Sequence, residues 1–429
     1  MNSLRTPFLC TAVLLAACGT DSGSSGGVET GAVLCDNGFD DDSDGFTDCA
    51  DQDCWGLGVC SDASPDGVGG DTSTPDATTD PDANPVIDTM DVSGPDAIAC
   101  DPCADKGSVK GRVCAPNENV FVNDAEVWIE GVGCGGETFK IETTSGADGT
   151  YYLLDVPCGT HTLEMRAGSF GATFPVQVRQ GQLLDVTGAA TKLCFGATAV
   201  KIAVLGGTWD DLGGLVEQLG FQYDFYNDDG DEGADGAIVD LLSDRTRLFG
   251  YDIVFAECGG TAGWLPQDEP AVMPNVKDFV LQGGSLYMSD YAWVLGEWSF
   301  PDKVTWFNSD DPNSMGAGSG NSPQVIPSGT RVTATVVDGA LAGYLGKTQI
   351  PIEFDSGPQV APVSVANGAF AHVTGNIVIP LGPNIPNAPL ALSYVPAQGA
   401  GRVMYTNFHN DAQTTSDMLT ILQYLVFRL

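Results

Sequence analysis

Two periodicities divide the chain. In the first, between residues 107 and 190, apolar and polar positions alternate with period two. Val109, Gly111 and Val113 alternate with Ser108, Lys110 and Arg112, and Ala125, Val127 and Ile129 with Glu126, Trp128 and Glu130. Leu163 and Met165 alternate with Thr162, Glu164 and Arg166, and Phe174, Val176 and Val178 with Pro175, Gln177 and Arg179. Turn signals at Asp148-Gly149, Pro157-Cys158-Gly159 and Gln180-Gly181 punctuate these runs. Short alternating runs at this spacing predict a small antiparallel β-sandwich of about 85 residues.

From Thr198 the alternation gives way to a continuous apolar run at 201–205, the mark of a strand buried on both faces, and to further strands at 221–226, 252–256 and 285–288. Between them apolar residues recur at helical spacing: Leu212, Leu215, Val216 and Leu219, then Ile238, Leu241 and Leu242, then Val276, Phe279 and Val280. The order βαβαβαβ predicts an α/β doubly wound parallel sheet, whose sites lie at the carboxyl ends of its strands. The last stretch predicts a hairpin, 390–395 and 402–406 around Gln398-Gly399-Ala400-Gly401, followed by a helix bearing Met418, Ile421, Leu422, Leu425 and Val426.

The first 99 residues follow neither pattern. Residues 7–17 are an apolar run behind Arg5, a signal-peptide core too short to span a bilayer. The run ends in Leu15-Ala16-Ala17-Cys18, which resembles the bacterial lipobox. That resemblance implies lipidation of Cys18, a mature chain beginning there, and attachment to the membrane through a lipid anchor. An ordinary signal peptide with an incidental cysteine is the alternative. Gly19 rather than Asp follows, which in Gram-negative lipoproteins implies the outer membrane.

Charge then changes the picture. The 429 residues carry 17 Lys+Arg against 57 Asp+Glu, a net charge of −40, which argues against nucleic acid as a partner because nothing could neutralise phosphates. Residues 19–105 hold 21 of the acids and no Lys or Arg. Rich in Pro, Asp, Thr and Gly, residues 61–99 cannot bury enough apolar area to offset their ordering entropy and are expected to form a disordered, extended linker. Within 18–60, Asp40, Asp42 and Asp44 followed by Gly45 occupy the first, third, fifth and sixth positions of an EF-hand-type loop, with Asp48 at the ninth and Asp51 at the twelfth. Hard oxygen donors around a glycine turn suit calcium as a structural ion. No amphipathic helices flank the loop. It resembles thrombospondin type 3-like Asp repeats, and the Cys/Asp modules of secreted deltaproteobacterial proteins. An acidic spacer stapled by disulfides, with no selective metal, is the alternative.

Thirteen cysteines imply an oxidising compartment. Cys35, Cys49, Cys54 and Cys60 form one even set, and Cys100, Cys103, Cys114, Cys134, Cys158 and Cys194 a second, expected to make three disulfides of open connectivity. Cys100-Asp101-Pro102-Cys103 could be read as a redox pair, but no helix N-terminus is at hand to lower a thiol pKa, so structural pairing is expected. The order Gly107-Ser108-Val109-Lys110-Gly111-Arg112-Val113, Asp124-Ala125-Glu126-Val127, Asp148-Gly149-Thr150-Tyr151 and Val156-Pro157-Cys158-Gly159-Thr160 resembles the carboxypeptidase regulatory-like, transthyretin-type domain. In that family the module is an accessory and carries no chemistry.

Three strand ends in the last 230 or so residues resemble a class I glutamine amidotransferase-like, flavodoxin-like domain, the superfamily that includes the trehalose-utilisation-type proteins. The segment from Tyr251 to Gly260 resembles the strand leading to that fold's oxyanion loop, at Gly259 and Gly260. The segment from Gln282 to Ala292 resembles the strand and elbow that present the nucleophilic cysteine, and Thr406-Asn407-Phe408-His409-Asn410-Asp411 the segment supplying the base and its orienting acid. At the elbow, however, stands Asp290, next to Ser289, and a carboxylate cannot form a glutamyl thioester. Cys258 is the only cysteine after residue 194 and lies one loop away. The candidates for catalysis are therefore Cys258, Asp290, His409 and Asp411, against the reading of Cys258 as a packed thiol and His409 as a satisfied buried histidine. His161 reads as packing, and His372 has no motif around it.

Gly206-Gly207-Thr208-Trp209-Asp210-Asp211 lacks phosphate-loop spacing and a lysine and places two acids where phosphate would sit, so no nucleotide is expected. Trp293, Trp298, Phe300, Trp306 and Phe307 follow the elbow and could stack on sugar rings or pack as a lid over their own domain. The expected organisation is a signal peptide at 1–17, a calcium-type module at 18–60, a linker at 61–99, a β-sandwich at 100–195 and the α/β domain at 196–429. The expected function is non-catalytic binding or interaction at the cell surface, with a cell-surface protein or carbohydrate as partner. A divergent hydrolase using Cys258 or Asp290 with His409, and a calcium-rigidified scaffold without a ligand pocket, are the alternatives.

Overall fold

The computed structural model describes residues 100–429 apart from 189–191, 229, 231–232, 260–269, 309–322, 355–357, 381 and 410–414. Cys18, the calcium candidates Asp40, Asp42, Asp44, Asp48 and Asp51, Gly260 and Asp411 lie outside the described residues. What is described is a β-rich, multidomain chain with few helices.

The alternating region folds into seven strands: β1 (Lys106–Arg112), β2 (Glu126–Val132), β3 (Thr138–Thr144), β4 (Thr150–Pro157), β5 (Gly159–Ala167), β6 (Phe170–Val178) and β7 (Leu183–Asp185). They form a four-stranded sheet, β3-β2-β5-β6, and a three-stranded one, β4-β1-β7. Val109, Val127, Ile129, Leu163, Met165, Val176 and Val178 all point inward, as the alternation requires. One pair departs from the antiparallel expectation: β7 runs parallel to β1. It arrives from β6 in the other sheet rather than through a hairpin with β1, so no tight turn fixes its direction. Among the described residues the disulfides are Cys100–Cys158, Cys103–Cys134 and Cys114–Cys194, and Cys100 and Cys103 are not joined to each other.

The rest of the chain builds a ten-stranded sheet. Its first half contains β8 (Ile202–Leu205), β9 (Tyr223–Asn227), the two-residue β10 (Gly236–Ala237), β11 (Ile253–Ala256) and β12 (Ser285–Ser289). Between them lie α1 (Leu212–Gln218), α2 (Ile238–Ser243), α3 (Arg245–Leu248) and α4 (Val272–Leu281), and α5 (Trp293–Ser299) follows β12. Next come β13 (Val304–Trp306), β14 (Gln324–Ile326), β15 (Thr330–Val336), α6 (Gly339–Leu345), β16 (Gln349–Phe354), β17 (Gln359–Val360) and β18 (Pro362–Val365). The chain ends with β19 (Phe370–Val378), β20 (Asn384–Tyr394), β21 (Val403–Thr406) and α7 (Ser416–Val426).

The sheet order is β10-β9-β8-β11-β12-β21-β20-β19-β15-β16. Pairing is parallel from β10 to β21 and antiparallel beyond it. The sheet is therefore mixed, and the wholly parallel expectation holds for one half only. The antiparallel strands carry exposed polar residues on one face, Arg331, Thr333 and Thr335 in β15, Gln349 in β16 and Asn376 in β19, so they lack the continuous apolar run that announces a parallel strand. Along β8, Ile202 and Val204 face the core that α1 and α7 cover, while Ala203 and Leu205 face that of α2 to α5. Both faces are dry, which is why these strands read as unbroken apolar runs.

The sandwich shares the first of these cores. Phe170 of β6 lies 4.7 Å from Phe221 and 5.1 Å from Phe427, ring centre to centre. Ser169 N–H donates to the Leu429 carbonyl and Asn117 N–H to that of Leu219 (3.1 Å). Arg428 pairs with Asp124 at 3.3 Å.

His372 is not motif-free in three dimensions. Its Nδ1 lies 2.7 Å from Asp338 Oδ2 and its Nε2 2.9 Å from Ser393 Oγ. The order carboxylate, imidazole, hydroxyl is that of a hydrolytic triad, but Ser393 is only 2% exposed and Arg402 Nη1 also reaches its Oγ. Asp338 meanwhile caps α6 through the amides of Ala340 and Leu341 and accepts from Tyr424 of α7. This run ties β19, β20, α6 and α7 together.

Burial alone would raise the Asp338 pKa, but the hydrogen bonds from His372, Leu341 and Tyr424 hold it well below the usual carboxylate range. A carboxyl depressed in the folded state stabilises fully above its unfolded pKa of about 3.9, and the contribution is lost as pH falls below that value. Asp338→Asn, which keeps the helix cap, is expected to lower stability at pH 6 by about 1.5–3 kcal/mol and to flatten the acid limb of urea midpoint against pH. An acid limb as steep as that of the unsubstituted protein would show that Asp338 is not the group responsible.

Candidate functional site

Parallel pairing aligns Leu205 with Ala256 and Ser289 with Thr406, so the carboxyl ends of β8, β11, β12 and β21 finish side by side. Just beyond them stand Asp210, Glu257 and Cys258, Asp290 and His409. β9 and β11 lie on opposite sides of β8, so the connections leaving β8 and β11 diverge, the place where open α/β sheets hold ligands.

The loops after β8 and β11 touch backbone to backbone. Thr208 and Trp209 N–H groups both donate to the Cys258 carbonyl, at 2.9 and 3.1 Å. A Cβ at Gly207 would meet the Cys258 oxygen at 2.2 Å, and one at Gly259 the Thr208 nitrogen at 2.2 Å, so only glycine fits at either position. The Cys258 amide in turn donates to Asp210 Oδ2 at 2.8 Å. Glu257 accepts from the amides of Gly207 (2.8 Å), Leu212 (2.6 Å) and Gly213 (3.2 Å). The amides with which a phosphate loop would cradle an anion are thus spent on a carboxylate of the chain itself. Burial pushes Glu257 up to about 7, against the pull of these amides and with the help of neighbouring Asp210.

Asp290 opens the turn between β12 and α5 with φ of +40°, a conformation disfavoured for a residue bearing a Cβ. Its Oδ1 accepts from the Val360 amide at 2.7 Å. Its Oδ2 is 3.5 Å from Cys258 Sγ, which donates to it, and 3.3 Å from His409 Nε2. Cys258 and Asp290 are 0% exposed, His409 1% and Asp210 8%. Trp209, beside Asp210, is 45% exposed, so among the described residues the β8 loop carries the site toward the surface. Burial raises the Asp290 pKa, with His409 opposing it. Burial, and then the charges of Asp290 and Asp210, push the Cys258 thiol far up.

Chemically, the thiol donates its hydrogen bond to a carboxylate, and that carboxylate, Asp290, is turned inward. The structure brings Cys258, Asp290 and His409 together and places Gly259 beside them. Asp210 and Glu257 were missed as site members. Asp210 was noted only as an obstacle to phosphate, and the signal that could have found both is an acid just past the end of a buried parallel strand. The aromatics after the elbow are not an open stacking surface. Trp293 and Trp306 are buried with ring centres 4.9 Å apart, Trp306 meets Tyr405 at 5.0 Å, and its indole donates to Glu297 at 2.9 Å. Helical spacing in α5 turns Trp293 into the sheet, so of the two readings the packed one holds.

No family model matches the chain, and no curated protein matches it. Among solved structures, a type II cohesin–X-dockerin complex from Acetivibrio cellulolyticus is 16% identical over 21% of this chain and 56% of that one, with a TM-score of 0.16. A likeness of that size carries no argument.

The surroundings of Cys258 generate a kinetic expectation. Peptide-resolved mass spectrometry of the protein treated with iodoacetamide should find Cys258 alkylated far more slowly than free cysteine from pH 6 to 9, because the thiolate is disfavoured throughout. A rate that rises with a midpoint at or below the ordinary thiol value of about 8.5 would mean a paired, nucleophilic sulfur.

Proposed function

We propose that this protein is a cell-envelope lipoprotein, exported and held in the outer membrane through a lipid on Cys18. At the cell surface it acts as a binding or interaction protein through a non-catalytic, amidotransferase-like domain. The acidic module at 18–60 holds a structural calcium ion through Asp40, Asp42, Asp44, Asp48 and Asp51, and the linker at 61–99 keeps the folded part off the membrane. The order β9-β8-β11-β12-β21 supports a flavodoxin-like sheet for the parallel half, since the strands then run second, first, third, fourth and last. The turn after β12 and the histidine after β21, both at the carboxyl edge of the sheet, support the amidotransferase-like reading.

One observation carries the non-catalytic reading. The residue at the nucleophile position is a fully buried carboxyl whose oxygens are taken by the Val360 amide, Cys258 and His409. Neither it nor the protonated thiol beside it is presented to a substrate. Five ionisable side chains at the strand ends, Asp210, Glu257, Cys258, Asp290 and His409, rather than a filled apolar edge, favour a ligand site over a bare scaffold. The 3.3 Å contact between Asp290 and His409 favours the second reading, a hydrolase in which Asp290 attacks and His409 serves as base. That reading requires the buried Asp290 Oδ2, which faces Cys258 and His409, to become accessible to a substrate.

Two measurements test the proposal. Cells fed labelled palmitate should label the protein, and Cys18→Ala should lose the label and release the chain to the soluble fraction. The purified protein, offered glutamine, simple amides and aryl esters, should release no product above buffer. Turnover that disappears in Asp290→Asn and His409→Ala would replace the binding reading with the hydrolytic one.

A further inference from the structure

We infer that the strand-end cluster is a binding site for a zinc-class divalent metal, with Asp210, Cys258 and His409 as ligands and Asp290 positioning two of them. This rests on the reading of the cluster as a ligand site and names the ligand. One carboxylate oxygen, the thiol sulfur and one imidazole nitrogen lie within 4.8 Å of one another. Around a tetrahedral zinc, with bonds of about 2.0–2.3 Å, donor atoms sit roughly 3.4 Å apart. Closing the difference takes adjustment of side chains and no movement of strands. Each ligand comes from the end of a different parallel strand, β8, β11 and β21, and such rigid elements hold a coordination geometry better than one mobile loop does.

The donor set selects the metal. Sulfur and imidazole nitrogen beside a single carboxylate suit zinc and its borderline neighbours, whereas calcium and magnesium require oxygen throughout. The contacts from Asp290 Oδ2, 3.5 Å to sulfur and 3.3 Å to nitrogen, are longer than the 2.7–2.9 Å usual for charge-assisted bonds. Burying ionisable groups around bonds that long is costly, and a cation among them offsets the cost. Asp290 stands where a carboxylate behind the ligands orients a metal-bound histidine. On binding, the Cys258 S–H bond breaks, its proton goes to solvent and a sulfur–metal bond forms. Three protein ligands leave the fourth position to water or to a donor atom from a partner molecule, as in zinc sites that remain open.

The test uses the full chain in detergent, stripped with a chelator and then titrated with Zn²⁺ or Co²⁺ in excess Ca²⁺, which occupies oxygen-only sites. Elemental analysis should find one zinc per chain, and cobalt should give the near-ultraviolet thiolate charge-transfer band. Cys258→Ser should abolish that band and weaken zinc at least about tenfold. Asp290→Asn should keep the band and weaken zinc by about 10–100-fold, the range for outer-shell partners. No zinc above the calcium-competed background, no cobalt band in the unsubstituted protein, or unchanged affinity in a folded Cys258→Ser would overturn the site. If Cys258→Ser does not fold, the cobalt band of the unsubstituted protein decides alone. Absence of metal together with an inert Cys258 overturns this inference and leaves the non-catalytic reading standing. Metal binding accompanied by turnover of amides or esters does the reverse.

Discussion

A carboxyl group shut away from water sets the terms for everything at the carboxyl edge of the parallel strands. Asp290 is fully buried, and burying an ionisable group without partners costs several kcal/mol, of order 2–7 even for a neutral polar one. Its partners come from far apart in the chain: Cys258 after β11, Val360 in β17 and His409 after β21. A shift of any one of the three takes a partner from it. The register of β11, β12 and β21 and the placement of β17 are thus coupled through one side chain. The same coupling explains why β17, two residues long and paired only with β14, is nonetheless packed against the elbow.

A second dependence runs through the first core. A sandwich of this size on its own buries a modest fraction of its apolar surface. Here Phe170, Phe195, Phe221 and Phe427 form one aromatic contact set drawn from β6, from the segment after the sandwich, from the turn before β9 and from the chain end. Cys114–Cys194 closes an 80-residue loop around the same region, which constrains the unfolded chain by about 4.5 kcal/mol in the chain-entropy limit. The module that the sequence presents as an accessory therefore supplies part of the core on which α1 and α7 pack.

How much of this was legible depends on where each partner lies along the chain. β8, β11 and β12 were readable because burial on both faces leaves an unbroken apolar run, and α4 and α7 because one apolar stripe recurs at helical spacing. The strands between 324 and 378 were not, since alternation interrupted by exposed Thr, Arg and Asn resembles loop. β3 was missed for the same reason, its polar face being fully solvated. Cys258, Asp290 and His409 were legible as candidates through the resemblance of three strand ends to an amidotransferase-like domain. Asp338, His372 and Ser393 were not, because 34 and 21 residues separate the partners and no local pattern marks them. Only the mixed sheet, which sets β19 beside β15 and β20, makes them neighbours.

The elbow itself shows how small the step is between a nucleophile and a strut. A tight strand-to-helix turn with positive φ projects its side chain from the sheet edge, and aspartate tolerates that backbone better than most residues. Whether the projected group meets a substrate or the protein then depends on what faces it. Here the Val360 amide takes Oδ1 at 2.7 Å, close to the best amide–carboxylate distance, while Oδ2 sits between a thiol and an imidazole. Attack on an external carbon would fall to Oδ2, which is fully buried between Cys258 and His409. A carboxylate fixed in this way is better placed to hold its two neighbours in position than to react.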